Sequence, residues 1–339
     1  MSARPSPFAL ASFALLASAA LFPVLTPNPY YLGVMALAFV GALSALGLNL
    51  VAGYAGQLNL AHAGFVAIGA YTVGILTVDH GVPFWIAFAL AGVVSAAAGA
   101  AVGLVSLRLR GDTFAIFTLC VGFILYLGIE KWDGLTRGVV GLMDIPAPPG
   151  IGPVSFATDR GQYYLALGVL AVGVWLMRRI TASLVGRSFL AIRNGEALAQ
   201  ALGLNPMRTK LTAFVISTFY AGIAGALYAG QVRFLGPDIA RETRTFDALI
   251  FAVVGGMGTL LGPVVGAVGM SWAIQALQGL QDYRMVVFGP LLVLCIMFFP
   301  AGIVGALEAR FARRRAALAE KRLAEAAPVP GAAPRGSHA

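Results

Sequence analysis

Charge is scarce in this sequence: only 11% of its 339 residues are Asp, Glu, Lys or Arg. A water-facing surface draws on about 25%, so a soluble globular domain is excluded. Disorder is excluded as well, because 59% of the residues are hydrophobic. Cysteine is nearly absent, and Cys120 and Cys295 both lie inside apolar runs, so no disulfide framework is encoded. None of the three lysines, Lys131, Lys210 and Lys321, follows a glycine. A phosphate-cradling P-loop requires that pair, so any ATP chemistry belongs to another chain. Glycine, by contrast, is plentiful: 42 residues, about 12% against a usual 7%, without the three-residue period of collagen. What remains is a polytopic membrane protein.

Crossing a bilayer core of about 30 Å takes about 20 apolar residues. By that measure spans fall near 8–25, 31–51, 58–78, 84–107, 113–130, 162–178, 209–230, 245–257, 263–280 and 285–305. The segment 245–257 is too short to cross alone and is expected to extend backward through Thr243. The fold class is therefore an all-α integral membrane protein, a polytopic bundle of about ten transmembrane helices. Ala17-Ser18-Ala19 has the look of a signal cleavage site, but only Arg4 precedes it and the apolar stretch runs on to Leu25. A retained first helix is favoured.

Basic residues mark the cytoplasmic side. With the N-terminus inside, sixteen of the 23 Lys and Arg fall in the cytoplasm, accompanied by five acids; outside, nine acids outnumber the rest. Both termini are expected inside. The net charge of +9 thus reflects topology, and no nucleic-acid partner is implied. Arg310, Arg313, Arg314 and Arg315 suit the anionic lipid of an inner leaflet. The membrane domain is placed at residues 1–307, with an outer loop at 131–160 and an inner segment at 181–208. A basic tail follows at 308–339, disordered beyond Glu325.

The spans lack buried acids. Asp112 and Glu130 close the ends of one helix, and Asp79, Asp247 and Asp282 fall at other rims. His62 is the one titratable side chain placed well within a span, too little for a proton-coupled carrier. It belongs to a polar run of Asn49, Gln57, Asn59 and His62 interleaved with Gly53 and Gly56. That composition predicts a helix that breaks within the membrane, a re-entrant or irregular segment tolerated only where protein or a cavity surrounds it. Asn49, Gln57, Asn59, His62 and Gly64 are the candidate translocation-path residues. A lone histidine also commonly serves as an interhelical hydrogen-bond partner. A second glycine-rich stretch at 253–269 shares the pattern G-x-x-G-x-L, from Gly255 to Leu260 against Gly53 to Leu58. Such pairs occur at repeat interfaces and also from close helix packing.

Residues 181–208 form the longest internal cytoplasmic segment. Asn194 as N-cap, Glu196 in the first turn and Gly203 as stop predict a helix over 195–202. There the Glu196 charge is worth some tenths of a kcal/mol. Leu198, Ala201 and Leu202 share one apolar face. Too short to stand alone in water, it needs a partner, the chain's own helix ends, or the lipid surface.

Several segments resemble one family, the permease subunits of branched-chain amino acid ABC importers, from about Leu48 to Gly305. GYAGQLNLAHAGF (53–65) is similar to the family's G-x-x-G-Q-x-S-x-G-H-A-x-F segment. GDTFAIFTL (111–119), WDGLTRGVVGL (132–142) and GGMGTLLGPVVGA (255–267) resemble further blocks. GRSFLAIRNGEALAQALGLN (186–205) looks like the coupling segment. It matches at Gly186, Arg187, Ala191, Ile192, Arg193, Glu196, Ala199, Ala201, Leu202 and Gly203, with Leu198 in place of a common alanine. Asn59 stands where serine is usual, Ala61 where glycine is usual. Arg137 replaces a glycine, setting a cation in the outer loop within reach of substrate or its carrier.

The resemblance implies a transport subunit, not an enzyme, with no cofactor or metal. It pairs with a second permease, receives substrate from a periplasmic substrate-binding protein, and is driven by ATP-binding ABC subunits at the short cytoplasmic coupling helix. It also implies a bacterial inner membrane. Related permeases handle urea, amides and aromatic acids, so these remain open as substrates. A self-sufficient small-solute channel would share the charge-poor interior but leave the 195–202 helix without purpose. A membrane-embedded transferase would need a carboxylate pair or metal cluster; Asp133, Asp144 and Asp159 lack ligand spacing.

Overall fold

A computed structural model describes residues 7–109, 111–150, 155–276 and 302–310. Every regular element among them is helical, with one isolated bridge between Leu142 and Leu235. In chain order these are α1 (Pro7–Leu25), α2 (Pro29–Asn49) running into a π turn (Leu50–Tyr54), α3 (His62–Val78), α4 (Phe84–Ser106) and α5 (Asp112–Lys131). A short α6 (Asp133–Thr136) precedes α7 (Asp159–Ala182), α8 (Leu184–Asn194), α9 (Glu196–Ala201) and α10 (Pro206–Val232). The last two named are α11 (Glu242–Gly255) and α12 (Gly262–Ala276); residues 302–310 are helical too.

Among the described residues, five helices are long and apolar enough to span a bilayer: α2 with its π turn, α4, α5, α7 and α10. Leu15–Leu25 and α3 are shorter apolar helices. The span expected at 162–178 is longer than read, because Arg178 and Arg179 continue the helix past the apolar run. α11 extends backward past Thr243 as expected, yet its 14 residues rise only about 21 Å. Most of the span expected at 285–305, Cys295, and the basic tail beyond Arg310 lie outside the described residues.

Helix boundaries follow local chemistry. Asn28 accepts a hydrogen bond from Tyr30 N (3.0 Å) at the start of α2. Thr158 accepts from Gly161 N (3.1 Å) at α7. Asn205 accepts from Arg208 N (3.1 Å) at α10, with Pro206 supplying a residue whose missing N–H costs nothing there. The bundle is built around α2 and α10. The apolar window of α2 is 83% buried whereas that of α5 is 17% buried, so α2 is core and α5 periphery. α10 packs on α2, α3 and α4. Gly225 of α10 abuts the backbone of α3 at Val66, and Gly69 abuts Gly222. Any side chain there would drive the helices apart, which is how small residues substitute for a hydrophobic driving force in lipid.

The bundle has two distinct ends. At one, Gly74 of α3, Phe84 of α4, the 138–148 segment and residues 230–235 converge. There Arg137 is ion-paired with Asp79 (2.7 Å), with both side chains partly exposed. Its φ of 61° lies in the left-handed region that glycine adopts without strain. From that end, residues 237–245 descend along α3: Ile239 packs with Ala67, Ala70 and Tyr71, and Thr245 reaches Ala63. At the opposite end lie the 50–61 break, α8, α9 and the 256–261 loop.

Candidate translocation path and coupling surface

The break begins where α2 gives way to the π turn. Ala55 N donates to Leu50 O (3.1 Å) and Gln57 N to Val51 O (2.9 Å), so the ladder widens and then stops at Gly56, whose φ is +70°. The expected interruption of a third span is thus the connection between the second and third helices. Its polar residues are recruited to begin α3, whose first N–H groups have no partner within the helix. Asn59 Oδ1 accepts from Ala61 N (3.0 Å). Thr118 of α5 accepts from Leu60 N (3.0 Å) and Thr245 of α11 accepts from Ala63 N (2.9 Å). Asn59 and His62 are completely enclosed. The His62 Nε2 faces the Ser44 carbonyl at 3.0 Å, and because a carbonyl only accepts, that nitrogen carries the hydrogen. His62 Nδ1 and Asn59 Nδ2 are buried without a hydrogen-bond partner among the described residues. Gly64 lies against Leu125 of α5. Gln57 does not join this cluster; it is half-buried and its Nε2 donates to the neighbouring Gly56 carbonyl (3.2 Å).

The two glycine-rich stretches, some 200 residues apart, meet. Asn49 bridges them: its Nδ2 donates to Thr259 O (2.8 Å) and its Oδ1 accepts from Gly258 N (2.8 Å). Gly53 stands directly against Gly258. Arg193, the penultimate residue of α8, donates from Nη1 to the Gly53 carbonyl. The 181–208 segment, the candidate coupling segment, therefore touches the break itself.

Above the break, a cavity of about 370 Å³ opens between α2, α3, α10, α11 and α12. Val34, Leu37 and Phe251 supply apolar wall, Ser44 and Ala63 line it beside His62, and Arg244 and Asp247 add charge. Sequence reasoning placed Asp247 at a rim and gave Arg244 no role. Both lie inside α11, and 244, 247, 248 and 251 follow the i, i+3, i+4, i+7 spacing of one helical face; that periodicity was the missed signal.

The coupling segment differs from expectation in its first half. Residues 184–194 form a helix of their own, α8, capped by Ser183. Asn194 ends it, so the N-cap of α9 is Gly195 and α9 is shorter, Glu196–Ala201. The amphipathic alternation around Arg187 and Arg193 concealed α8 from a hydropathy reading. Gly186, Phe189, Ile192 and Ala199 are buried anchors, whereas Arg187, Ala201 and Gly203 are exposed. Leu198 and Leu202 are 69% and 77% exposed, and with Leu184 and Leu190 they leave an uncovered apolar surface.

α9 is pinned by one ion pair. Lys210 of α10 is only 3% exposed, and its Nζ lies 2.8 Å from Glu196 Oε2. Glu196 is thus a partner for a buried cation and not merely a first-turn charge. Glu196→Ala leaves that cation unpaired and is expected to cost about 1–3 kcal/mol, against a smaller loss for Glu196→Gln, which keeps an acceptor. Thermal melting of the purified protein in detergent measures the difference; a Glu196→Ala protein melting with the unaltered chain would show that the pair contributes nothing.

Comparison with known proteins assigns this arrangement. The family described as branched-chain amino acid transport system / permease component matches residues 30–296. The chain belongs to that family. It is accordingly a transport permease and not an enzyme. It is 35% identical over 281 residues to the high-affinity branched-chain amino acid transport system permease protein LivM of Salmonella typhimurium, covering 76% of this chain and 66% of that protein. Identity to LivM of Escherichia coli is 32% over 290 residues, 79% and 68% of the two chains. The chain thus spans about two thirds of the length of these relatives. The autoinducer 2 import system permease protein LsrC of an Enterobacter species is 30% identical over 271 residues, 75% of each. No solved structure gives a significant match.

Proposed function

We propose that this permease forms, with a second permease subunit, the path by which branched-chain amino acids delivered by a periplasmic binding protein cross a bacterial inner membrane, driven by ATP-binding subunits docked on α8 and α9. The observation that carries the reading is the juxtaposition of a cavity and a docking surface through one break. The cavity's apolar walls suit a branched aliphatic side chain, and Arg244 and Asp247 suit its zwitterionic end. Asn59 and His62 sit beneath it, at the break that closes the cytoplasmic end. The exposed Leu198–Leu202 face supplies the apolar anchor that a partner contact requires. The path thus runs from the cavity past Asn49, Asn59, His62 and Gly64, with Gln57 at its inner edge.

The ten-span arrangement with both termini cytoplasmic belongs to the same proposal. Single cysteines placed at Gly150 and Ser188, after Cys120 and Cys295 are replaced by serine, are expected to label from opposite faces with a membrane-impermeant maleimide, Gly150 from outside and Ser188 from inside. Same-side labelling overturns the topology.

Mass spectrometry of the ligand co-purified with the cognate binding protein tests the substrate, followed by uptake of that ligand into proteoliposomes holding the complete complex. Recovery of leucine, isoleucine or valine, and uptake only with ATP, is expected. A urea-, amide- or aromatic-acid ligand, or the autoinducer 2 named for the LsrC relatives, would overturn the substrate assignment. Conduction without ATP would instead make the chain a channel.

A further inference from the structure

The π turn leaves one acceptor without a helical taker. In a regular helix the Gly53 carbonyl would receive the N–H of Gln57, but that N–H is used by Val51 O. The Arg193 guanidinium fills the vacancy. The side chain of Arg193, exposed along its outer side, runs with its stem against Gly56 and its head against Gly258. A Cβ on Gly56 would sit 3.1 Å from Arg193 Cγ, and one on Gly258 would sit 2.9 Å from Nη1. Both glycines also have positive φ, +70° and +79°, which disfavours any other residue. Arg193 thus touches both glycine-rich stretches at the point where Asn49 ties them together. Its neighbour Ile192 is buried and Asn194 ends α8, so displacing α8 must displace the guanidinium.

We propose that Arg193 is the positioning residue that transmits movement of the cytoplasmic coupling segment to the paired breaks, keying them closed until α8 is shifted. This rests on the reading that an ATPase docks at α8 and α9, but it assigns Arg193 to the membrane side of that joint and not to the docking contact. A planar fork with five donors suits the role better than a point charge, because it can hold one carbonyl while lying flat against the facing glycine.

The test uses the complete transporter complex in proteoliposomes. Uptake, ATP hydrolysis with and without loaded binding protein, and retention of the ATPase during purification are measured together. Arg193→Ala is expected to lower uptake about tenfold, within the usual range of coupling between linked sites, while the ATPase stays bound and hydrolyses ATP without stimulation by loaded binding protein. Arg193→Lys should restore part of the stimulation. Gly258→Ala leaves the docking surface intact but sets a Cβ 2.9 Å from Nη1, displacing the guanidinium, and should reproduce the uncoupling. Uptake and hydrolysis falling in equal proportion in Arg193→Ala, or coupling retained in both variants, would overturn the proposal. Loss of the bound ATPase from Arg193→Ala would also overturn it, by placing Arg193 in the docking contact. Failure of the unaltered chain to retain an ATPase would instead strike the docking reading.

Discussion

Leu202→Asp is expected to abolish ATP-driven uptake while the subunit still reaches the membrane at its normal level. Leu202 is the C-cap of α9 and among the most exposed large hydrophobic residues described, so the substitution disturbs nothing inside the chain. Its effect falls on whatever covers that face. Truncating a buried anchor in a protein contact typically costs about 2 kcal/mol or more, and an unpaired carboxylate placed there costs further. Uptake and stimulated ATP hydrolysis should fall together, and the ATPase should dissociate more readily in detergent. Leu198→Asp, about one turn earlier on the same face, should behave alike. Normal transport with the ATPase firmly bound in the Leu202→Asp variant would reduce α9 to a surface feature.

Asn49→Ala is expected to destabilise the protein by about 2–6 kcal/mol, since it strands two backbone groups, Gly258 N and Thr259 O, at about 1–3 kcal/mol each. Both bonds are 2.8 Å long and Asn49 itself is buried. Asn49→Asp should be worse. It preserves the acceptor for Gly258 N but turns a buried carboxylate oxygen toward the Thr259 carbonyl, where no donor remains. Thermal midpoints in detergent order the three proteins. An Asn49→Asp protein melting with the unaltered chain would show that the two stretches are held together by other contacts.

Much of this was legible from hydropathy. α4, α5 and α10 begin and end within about three residues of the apolar runs that announce them, because lipid demands an unbroken apolar helix and little else. α8 was not legible. Its buried anchors Gly186, Phe189 and Ile192 recur at a helical interval, but intervening Arg187 and Arg193 read as a cytoplasmic loop. The polar run around His62 was recognised, yet its purpose as a set of caps for α3 depends on Thr118 and Thr245 from distant helices. Likewise, the shared G-x-x-G-x-L pattern marked both stretches, but only the fold shows Asn49 of one holding the backbone of the other.

The brevity of α11 has a consequence for the company this chain keeps. The turn at Pro237–Ala240 lies beside the middle of α3, and α11 begins against the first turn of α3, where Thr245 accepts from Ala63 N. Exposed Glu242 and Arg244 cannot be left to acyl chains, since each unmet polar group costs several kcal/mol in hydrocarbon. Water in a crevice or the flank of another protein must wet this side. A solitary copy drifting in lipid is therefore an unfinished object: on one flank the bilayer is the wrong solvent, and assembly supplies the right one.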